Sequence, residues 1–213
     1  SAWCDGIAAL AEQLPVPVVV KEVGCGMTRT TLAKLARAGV QLVDVAGRGG
    51  TDFARIENDR RDGRDYAFLQ GFGQSAPMVL LDALGARAGT RLPALLASGG
   101  VRHPYDVVRG LALGARAVGV AGTFLHAVLA EDPAGSAGPV APDGAERLTG
   151  LIRAWTERLR ELCALLGVRT PAELTRTDVL VEGRLAHAAA LRGADLAALA
   201  ARSETTAFEE DRA

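Results

Sequence analysis

Three observations predict an α/β protein with a parallel sheet. Short apolar runs alternate with helix-period segments four times between Val16 and Ala121, and strands that alternate with helices are joined by crossovers that leave them parallel. The first run, Val16-Pro17-Val18-Val19-Val20-Lys21-Glu22, is nearly continuous valine, as suits a strand covered on both faces. Each run also ends in charged or glycine residues, and ligands of parallel α/β folds bind at the carboxyl ends of strands.

The elements follow from local chemistry. Ala2 to Leu14 is helical, with Trp3, Ile7, Leu10 and Leu14 on one face, and Pro15 and Pro17 end it. Val16 to Glu22 is the first strand. Thr28 is an N-cap for a helix through Ala38, with Leu32, Leu35 and Ala36 inward and Gly39 at its C-terminal turn. Val40 to Ala46 is the second strand. A helical patch spans Phe53 to Arg61, and a polar, glycine-containing loop runs from Asp62 to Gln74. Pro77 stands early in a helix through Ala86, and Leu92 to Ala97 is the third strand. Pro104 opens a helix that ends at Gly114, and Ala117 to Ala121 is the fourth strand.

Beyond Ala130 the composition changes. Residues 132–144 are rich in Pro, Gly and Ala and read as a linker after a first unit of residues 1–131. A helix is expected over Ala145 to Leu166, striped by Leu148, Leu151, Ile152, Trp155, Leu159, Leu162 and Leu166. Thr170-Pro171-Ala172-Glu173 is a capping box opening a short helix. Arg184 to Arg202 is Ala/Leu-rich and helical, completing a C-terminal helical segment of residues 145–202, and residues 203–213 read as a disordered tail. Four strands are too few for a closed eight-stranded barrel of about 250 residues, so the pattern fits a small open sheet or half of a barrel.

Bulk properties exclude several classes. The chain has 213 residues, 49% hydrophobic and 23% charged, with 24 Lys+Arg against 25 Asp+Glu, which is ordinary globular composition. No basic patch marks a nucleic-acid binder, and no apolar run is long enough to span a bilayer. Three widely spaced cysteines, Cys4, Cys25 and Cys163, and no secretory pattern at the N-terminus predict a reducing, cytoplasmic setting. The histidines, His103, His126 and His187, are far apart and show no metal-ligand spacing.

The candidate site gathers at the strand ends. Lys21, at the end of a buried-type strand, is either a lysine leaving the core or a cation that stabilises negative charge on a reduced ring; Glu22 beside it favours function. Gly47-Arg48-Gly49-Gly50-Thr51 is either a tight turn or a loop whose backbone must approach something closely, and Thr51 offers a hydroxyl. Ser98-Gly99-Gly100-Val101-Arg102 before Pro104 carries a phosphate signal: amides at a helix N-terminus plus a guanidinium. Ala121-Gly122 on the next strand end fits the barrel phosphate-site rule. Glu57 is a candidate acid/base if it faces the site, and otherwise a solvated helix charge. Cys25, between Gly24 and Gly26, reads as a packing thiol, and His126 as structural.

Taken together, Lys21-Glu22-Val23-Gly24-Cys25-Gly26-Met27-Thr28, Asp44-Val45-Ala46-Gly47-Arg48-Gly49-Gly50-Thr51-Asp52-Phe53-Ala54-Arg55-Ile56-Glu57 and Ala97-Ser98-Gly99-Gly100-Val101-Arg102 resemble type 2 isopentenyl-diphosphate isomerase. The resemblance runs from Trp3 to about Gly193 and includes Leu166-Gly167, Pro171-Ala172-Glu173-Leu174 and Leu191-Arg192-Gly193. It implies a (β/α)8 TIM barrel of which this chain is the C-terminal half, about four βα units, plus C-terminal helices. It implies interconversion of isopentenyl and dimethylallyl diphosphate with FMN, NADPH as reductant and Mg²⁺, in a homo-oligomer. By position, Lys21 and Thr51 would contact the flavin side of FMN, Gly100, Val101, Arg102, Ala121 and Gly122 would hold its phosphate, and Glu57 would serve proton transfer. The Mg²⁺ ligand is expected outside this chain, with no metal ligand within it. Two departures stand out: Ala46 occupies a position where the family usually has serine, and Gly122 replaces a bulkier residue. The first half of the barrel is expected to lie outside this chain, so the chain alone is expected to be inactive.

Two other readings remain. Another FMN barrel, of the 2-hydroxy-acid oxidase type, would be expected to carry a histidine base after the strand bearing Asp44, where this chain has Ala46-Gly47-Arg48. A non-catalytic phosphate-binding half-barrel would self-associate to cover its sheet edges.

Overall fold

The computed structural model describes residues 2–63, 65–129 and 138–204. Helix α1 (Ala2–Gln13) leads into β1 (Val19–Lys21), α2 (Arg29–Arg37), β2 (Leu42–Asp44), α3 (Phe53–Arg60), α4 (Ala76–Leu84), β3 (Ala94–Ala97), α5 (Pro104–Ala112), β4 (Ala117–Val118) and α6 (Gly122–Val128). The long α7 (Gly144–Leu165) follows, then α8 (Gly183–Leu191) and α9 (Leu196–Ala200). Short 3-10 turns sit at Ala67–Leu69 and Pro171–Arg176. The four strands are parallel and lie in sequence order, so each βα unit adds one strand beside the last.

Register divides the sheet into two unlike faces. Val19, Leu42 and Ala94 form one row across neighbouring strands, and Lys21, Asp44, Leu96 and Ala117 another, so these residues share one face. The other face carries Val20, Val43, Leu95, Ala97 and Val118. That second face is the buried one: Val43 is fully enclosed, and Leu32 and Leu35 of α2, Val79 to Leu81 of α4 and Leu95 form one core with it. Val19 on the first face is 46% exposed.

The valine run is therefore not covered on both faces, as its composition predicts. It forms an edge strand of three residues, with Val19 and Lys21 exposed on one face. The same geometry leaves α1 with no buried residue; Trp3, Leu10 and Leu14 are exposed, and of the expected stripe Ile7 packs on the core. Thr28 caps α2 as the sequence predicts, and Asp52 and Ser75, which the sequence reading did not single out, cap α3 and α4. Thr28 accepts from the Thr31 amide, Asp52 from Arg55 and Ser75 from Met78, each worth about 1 kcal/mol.

The C-terminal helices contribute to this same core through Ala189, Ala194 and Leu199. On α7, Trp155 is buried and meets Phe124 of α6 edge-on, with ring centroids 5.4 Å apart; Ile152 and Leu166 of the predicted stripe are exposed. The expected helix over Arg184–Arg202 is broken at Gly193, whose φ of +80° only glycine adopts easily. Thr170 and Glu173 do bond, but as hydroxyl donor to carboxylate, and the segment they open is 3-10 rather than α.

Most of the predicted linker, 132–137, and of the predicted tail, 205–213, lies outside the described residues. The linker's described end docks back on α6, with the Ala141 amide donating to Val128 and Gly144 buried against it. Ser203, assigned to a disordered tail, is held instead by Asp178 through its amide at 2.8 Å and its hydroxyl at 2.7 Å. Among the described residues, no helix is long and apolar enough to cross a membrane.

Candidate functional site

The carboxyl ends of all four strands open into one cavity of about 940 Å³, within the range of small-molecule and cofactor sites. Lys21 and Gly24 contribute from β1, Asp44 to Thr51 from β2, Ser98 to Arg102 from β3, and Gly119 to Thr123 with His126 from β4 and α6. The sequence prediction of one shared site at the strand ends therefore matches the geometry. Lys21, Thr51, Gly100, Val101, Arg102, Ala121 and Gly122 all line this cavity.

Glu57 does not line it. It sits on α3 with its carboxylate held by Arg61, Nε to Oε1 3.1 Å. Arg61 also pairs with Asp65 and lies over the Tyr66 ring, 4.4 Å from its centroid, so Glu57 belongs to a cluster that ties α3 to the following loop. Phe53, at the start of the same helix, does reach the cavity.

Glu22 also lines the cavity, and its carboxylate accepts from the amides of Val23, Gly24 and Cys25 at 2.7, 2.7 and 2.5 Å. It shapes the turn after β1. Lys21 pairs instead with Asp44 and donates to Ser98 Oγ at 3.2 Å. Burial, and then the nearby carboxylates of Glu22 and Asp52, push the Cys25 thiol above its ordinary value, which fits a packing residue rather than a reactive thiolate.

The glycine loops owe their composition first to each other. A Cβ on Gly99 would stand 1.9 Å from the Gly47 carbonyl oxygen, one on Gly47 would stand 2.1 Å from the Ala76 nitrogen, and one on Gly50 would meet Gly100 at 3.0 Å. Close backbone approach is thus required, as the sequence predicts, but between neighbouring loops. Arg102 braces the same contact by donating to the Gly49 carbonyl at 3.1 Å. Its own amide and that of His103 are taken by Asp106. Among the described residues, the amides of Gly100 and Val101 donate to no acceptor within the chain. Gly122 has nothing within 4 Å of where a Cβ would stand. Two unpaired amides, a guanidinium and open space at Gly122 fit an anionic group such as phosphate.

Sequence reasoning assigned no individual role to Asp44 or Phe53, placed Ser98 only at the head of the phosphate signal, and read His126 as structural. Asp44 was detectable, because it ends β2 as Lys21 ends β1, and the two are register partners. His126 carries no such signal; its place at the rim depends on where α6 begins.

Comparison with known proteins places this geometry. The family model for FMN-dependent dehydrogenases matches residues 1–181. The chain is 49% identical over 205 residues to isopentenyl-diphosphate delta-isomerase of Streptomyces sp. (strain CL190), covering 96% of this chain and 52% of the relative. It is 50% identical over 202 residues to the protein of that name from Nocardia farcinica, covering 95% and 51%. The chain thus spans about half the length of these relatives. Among solved structures, a lactate oxidase of Pediococcus acidilactici superposes with a TM-score of 0.59 at 19% identity, over 84% of this chain and 41% of that one. Inosine 5' monophosphate dehydrogenase from Legionella pneumophila gives 0.59 at 18% identity, over 86% and 62%. At such identities the likeness concerns the fold, and it is that of part of a barrel. A four-stranded parallel sheet with its site at the strand ends, matched from Ser1 to Val181 by one family model, belongs to the FMN-dependent dehydrogenase family.

Proposed function

We propose that this chain is the cofactor-holding half of an FMN-dependent isopentenyl-diphosphate isomerase. The observation that carries the reading is the identity of 49–50% over 95–96% of the chain to proteins named for that activity. The unpaired amides of Gly100 and Val101, with Arg102 and the open shelf at Ala121-Gly122, would hold the FMN phosphate. Lys21 and Thr51, at the far strand ends, would face its ring.

Moving the double bond requires a proton delivered to one carbon and removed from another. Reduced FMN supplies an electron-rich ring able to exchange a proton and to steady positive charge. Lys21 would hold an ammonium against that ring, and the glycine loops would keep water from its phosphate end. Glu57 would take part in proton transfer only by leaving Arg61, so the reading requires that ion pair to open. NADPH as reductant, Mg²⁺, a prenyl diphosphate substrate, a homo-oligomer and a cytoplasmic setting complete the proposal. Among the described residues, no group of three His, Cys, Asp or Glu side chains could hold a metal, so Mg²⁺ is assigned no ligand here. The oxidase reading loses ground because Ala46, Gly47 and Arg48 follow β2 where a histidine base would stand.

Titration of FMN with the purified chain, followed by flavin fluorescence, tests the cofactor site. Saturable quenching that weakens in Arg102→Ala and Lys21→Ala is expected; no quenching would remove the cofactor reading. Co-expression with the unmatched half of the Streptomyces relative tests the activity. Turnover of isopentenyl diphosphate with FMN, NADPH and Mg²⁺, lost in Glu57→Gln with flavin binding kept, is expected. FMN binding without any turnover would favour the non-catalytic phosphate-binding half-barrel.

A further inference from the structure

Lys21, Asp44 and Ser98 stand at the ends of three adjacent strands and form a closed triangle. Lys21 Nζ bonds Asp44 Oδ2 and donates to Ser98 Oγ at 3.2 Å, and Ser98 Oγ donates to Asp44 Oδ1 at 2.7 Å. The Ala46 amide donates to the same Oδ1 at 3.1 Å. The arrangement follows from register: Lys21 and Asp44 are paired positions on one face, and Ser98 lies two residues beyond Leu96, which pairs with Asp44.

The two partners differ in freedom. The Asp44 side chain is 13% exposed and the Lys21 side chain 56%. Two neutral donors fix the carboxylate independently of the lysine, whereas the lysine is a point charge on a flexible four-carbon stem. A pair between two mobile surface groups contributes little. Here one partner is already ordered, so the pair acts to order the other. The remaining charged groups at the cavity wall are otherwise engaged: Glu22 with the turn amides and Arg102 with the Gly49 carbonyl. His126 stands on α6.

We propose that Asp44 is the positioning residue for Lys21. Its carboxylate, held by Ser98 and the Ala46 amide, fixes the ammonium at the cavity wall and offsets its charge, and so sets how strongly the site favours a negatively charged ring over a neutral one. The positioning half stands on the triangle alone; the charge-setting half rests on the flavin reading above.

The chain offers an unusually clean test because Lys21 and Lys34 are its only lysines. Lys34 lies exposed on α2 and serves as internal control. The ratio of acylation at Lys21 to that at Lys34, read by peptide mass spectrometry with an amine-acylating reagent, reports how far the Lys21 ammonium is masked. Asp44→Asn keeps an oxygen for Ser98 and Ala46 and loses the lysine's anion. The ratio is expected to rise about tenfold, as for loss of one charge-assisted hydrogen bond. Ser98→Ala, a milder change, should raise it by a smaller factor. An unchanged ratio in both variants would overturn the positioning role.

In the FMN-loaded chain, Asp44→Asn should favour reduced over oxidised flavin by about tenfold, a rise of about 30 mV in the two-electron potential. An unchanged potential with an altered acylation ratio would overturn charge-setting alone. Failure of the wild-type chain to bind FMN would remove the flavin reading and the charge-setting half with it, and the acylation ratio would still decide the positioning.

Discussion

Asp82 and Arg192 are 110 residues apart in sequence, yet Arg192 Nε lies 2.7 Å from Asp82 Oδ1. Asp82 is fully buried on α4 and accepts also from Arg192 Nη2 at 3.3 Å and from the Arg29 amide at 3.0 Å, with Arg29 Nε at 3.5 Å. Arg29 in turn donates to the carbonyls of Gly85 and Arg192. One carboxylate thus joins α2, α4 and the end of α8. Removing one partner of a buried pair leaves the others uncompensated. Asp82→Ala removes the buried member and leaves an Arg192 side chain that is 42% exposed, so a loss of about 1–3 kcal/mol in urea unfolding is expected. A loss below about 1 kcal/mol would show that the junction is held by apolar packing instead.

Ala46 is the one non-glycine residue with positive φ among the described residues, at +34°, and it is buried beside the cavity. Left-handed backbone costs an L-residue about 1–2 kcal/mol, and the Asp44 carboxylate bonded to its amide helps to hold it there. Ala46→Gly relieves that strain but loses a buried methyl worth about 0.8 kcal/mol and frees the unfolded chain. Its stability should lie within about 1 kcal/mol of wild type. Ala46→Val adds a β-branched side chain at the same backbone and should cost about 2 kcal/mol or more. Paired thermal unfolding curves decide between this and an unstrained turn, for which the valine variant would unfold like the wild type.

The Ser203 amide, and then its hydroxyl, hold the Asp178 carboxyl below its ordinary value near 3.8. A depressed folded value means that the tie is complete above 3.8 and is lost as pH falls through the lower folded value. The Ser203 amide resonance should therefore titrate with a midpoint below 3.8. In Ser203→Ala, which keeps the amide and removes the hydroxyl, the midpoint should move part of the way back. A wild-type midpoint at or above 3.8 would contradict the contact.

Burial and the carboxylates of Glu22 and Asp52 raise the Cys25 thiol. Alkylation at pH 8 should then be slower than for a free cysteine peptide, because the thiolate is the nucleophile. Glu22→Gln removes one of the two charges and should speed it. Faster reaction in the wild type than in the peptide would mean that the turn exposes an activated thiol.

Much of this was legible from residues whose effect is local. Thr28 and Pro104 start their helices as their side chains dictate, and the polar strand ends meet at one cavity because a parallel sheet collects them on one side. Burial was less legible. The valines of β1 read as a covered strand because composition reports what a face can tolerate, whereas exposure depends on which neighbours the sheet has. The partner of Glu22 was hidden for a related reason: its carboxylate is taken by the amides of the turn that follows, and the carboxylate in reach of Lys21 is Asp44 across the register. Glu57 shows what spacing along the chain does not convey, since helix α3 gives its carboxylate a local cation in Arg61.

The loops at the ends of β2 and β3 mesh like teeth, Gly99 against Gly47 and Gly50 against Gly100. A side chain at Gly99 would meet the Gly47 carbonyl at 1.9 Å and one at Gly47 the Ala76 nitrogen at 2.1 Å, so single mutational steps at these two positions are closed. Open ground lies elsewhere on the rim, at Gly122, where a new side chain would meet nothing within 4 Å. Divergence of ligand preference in this lineage should therefore be written at the β4 end, while the interlocking rows are inherited as a unit.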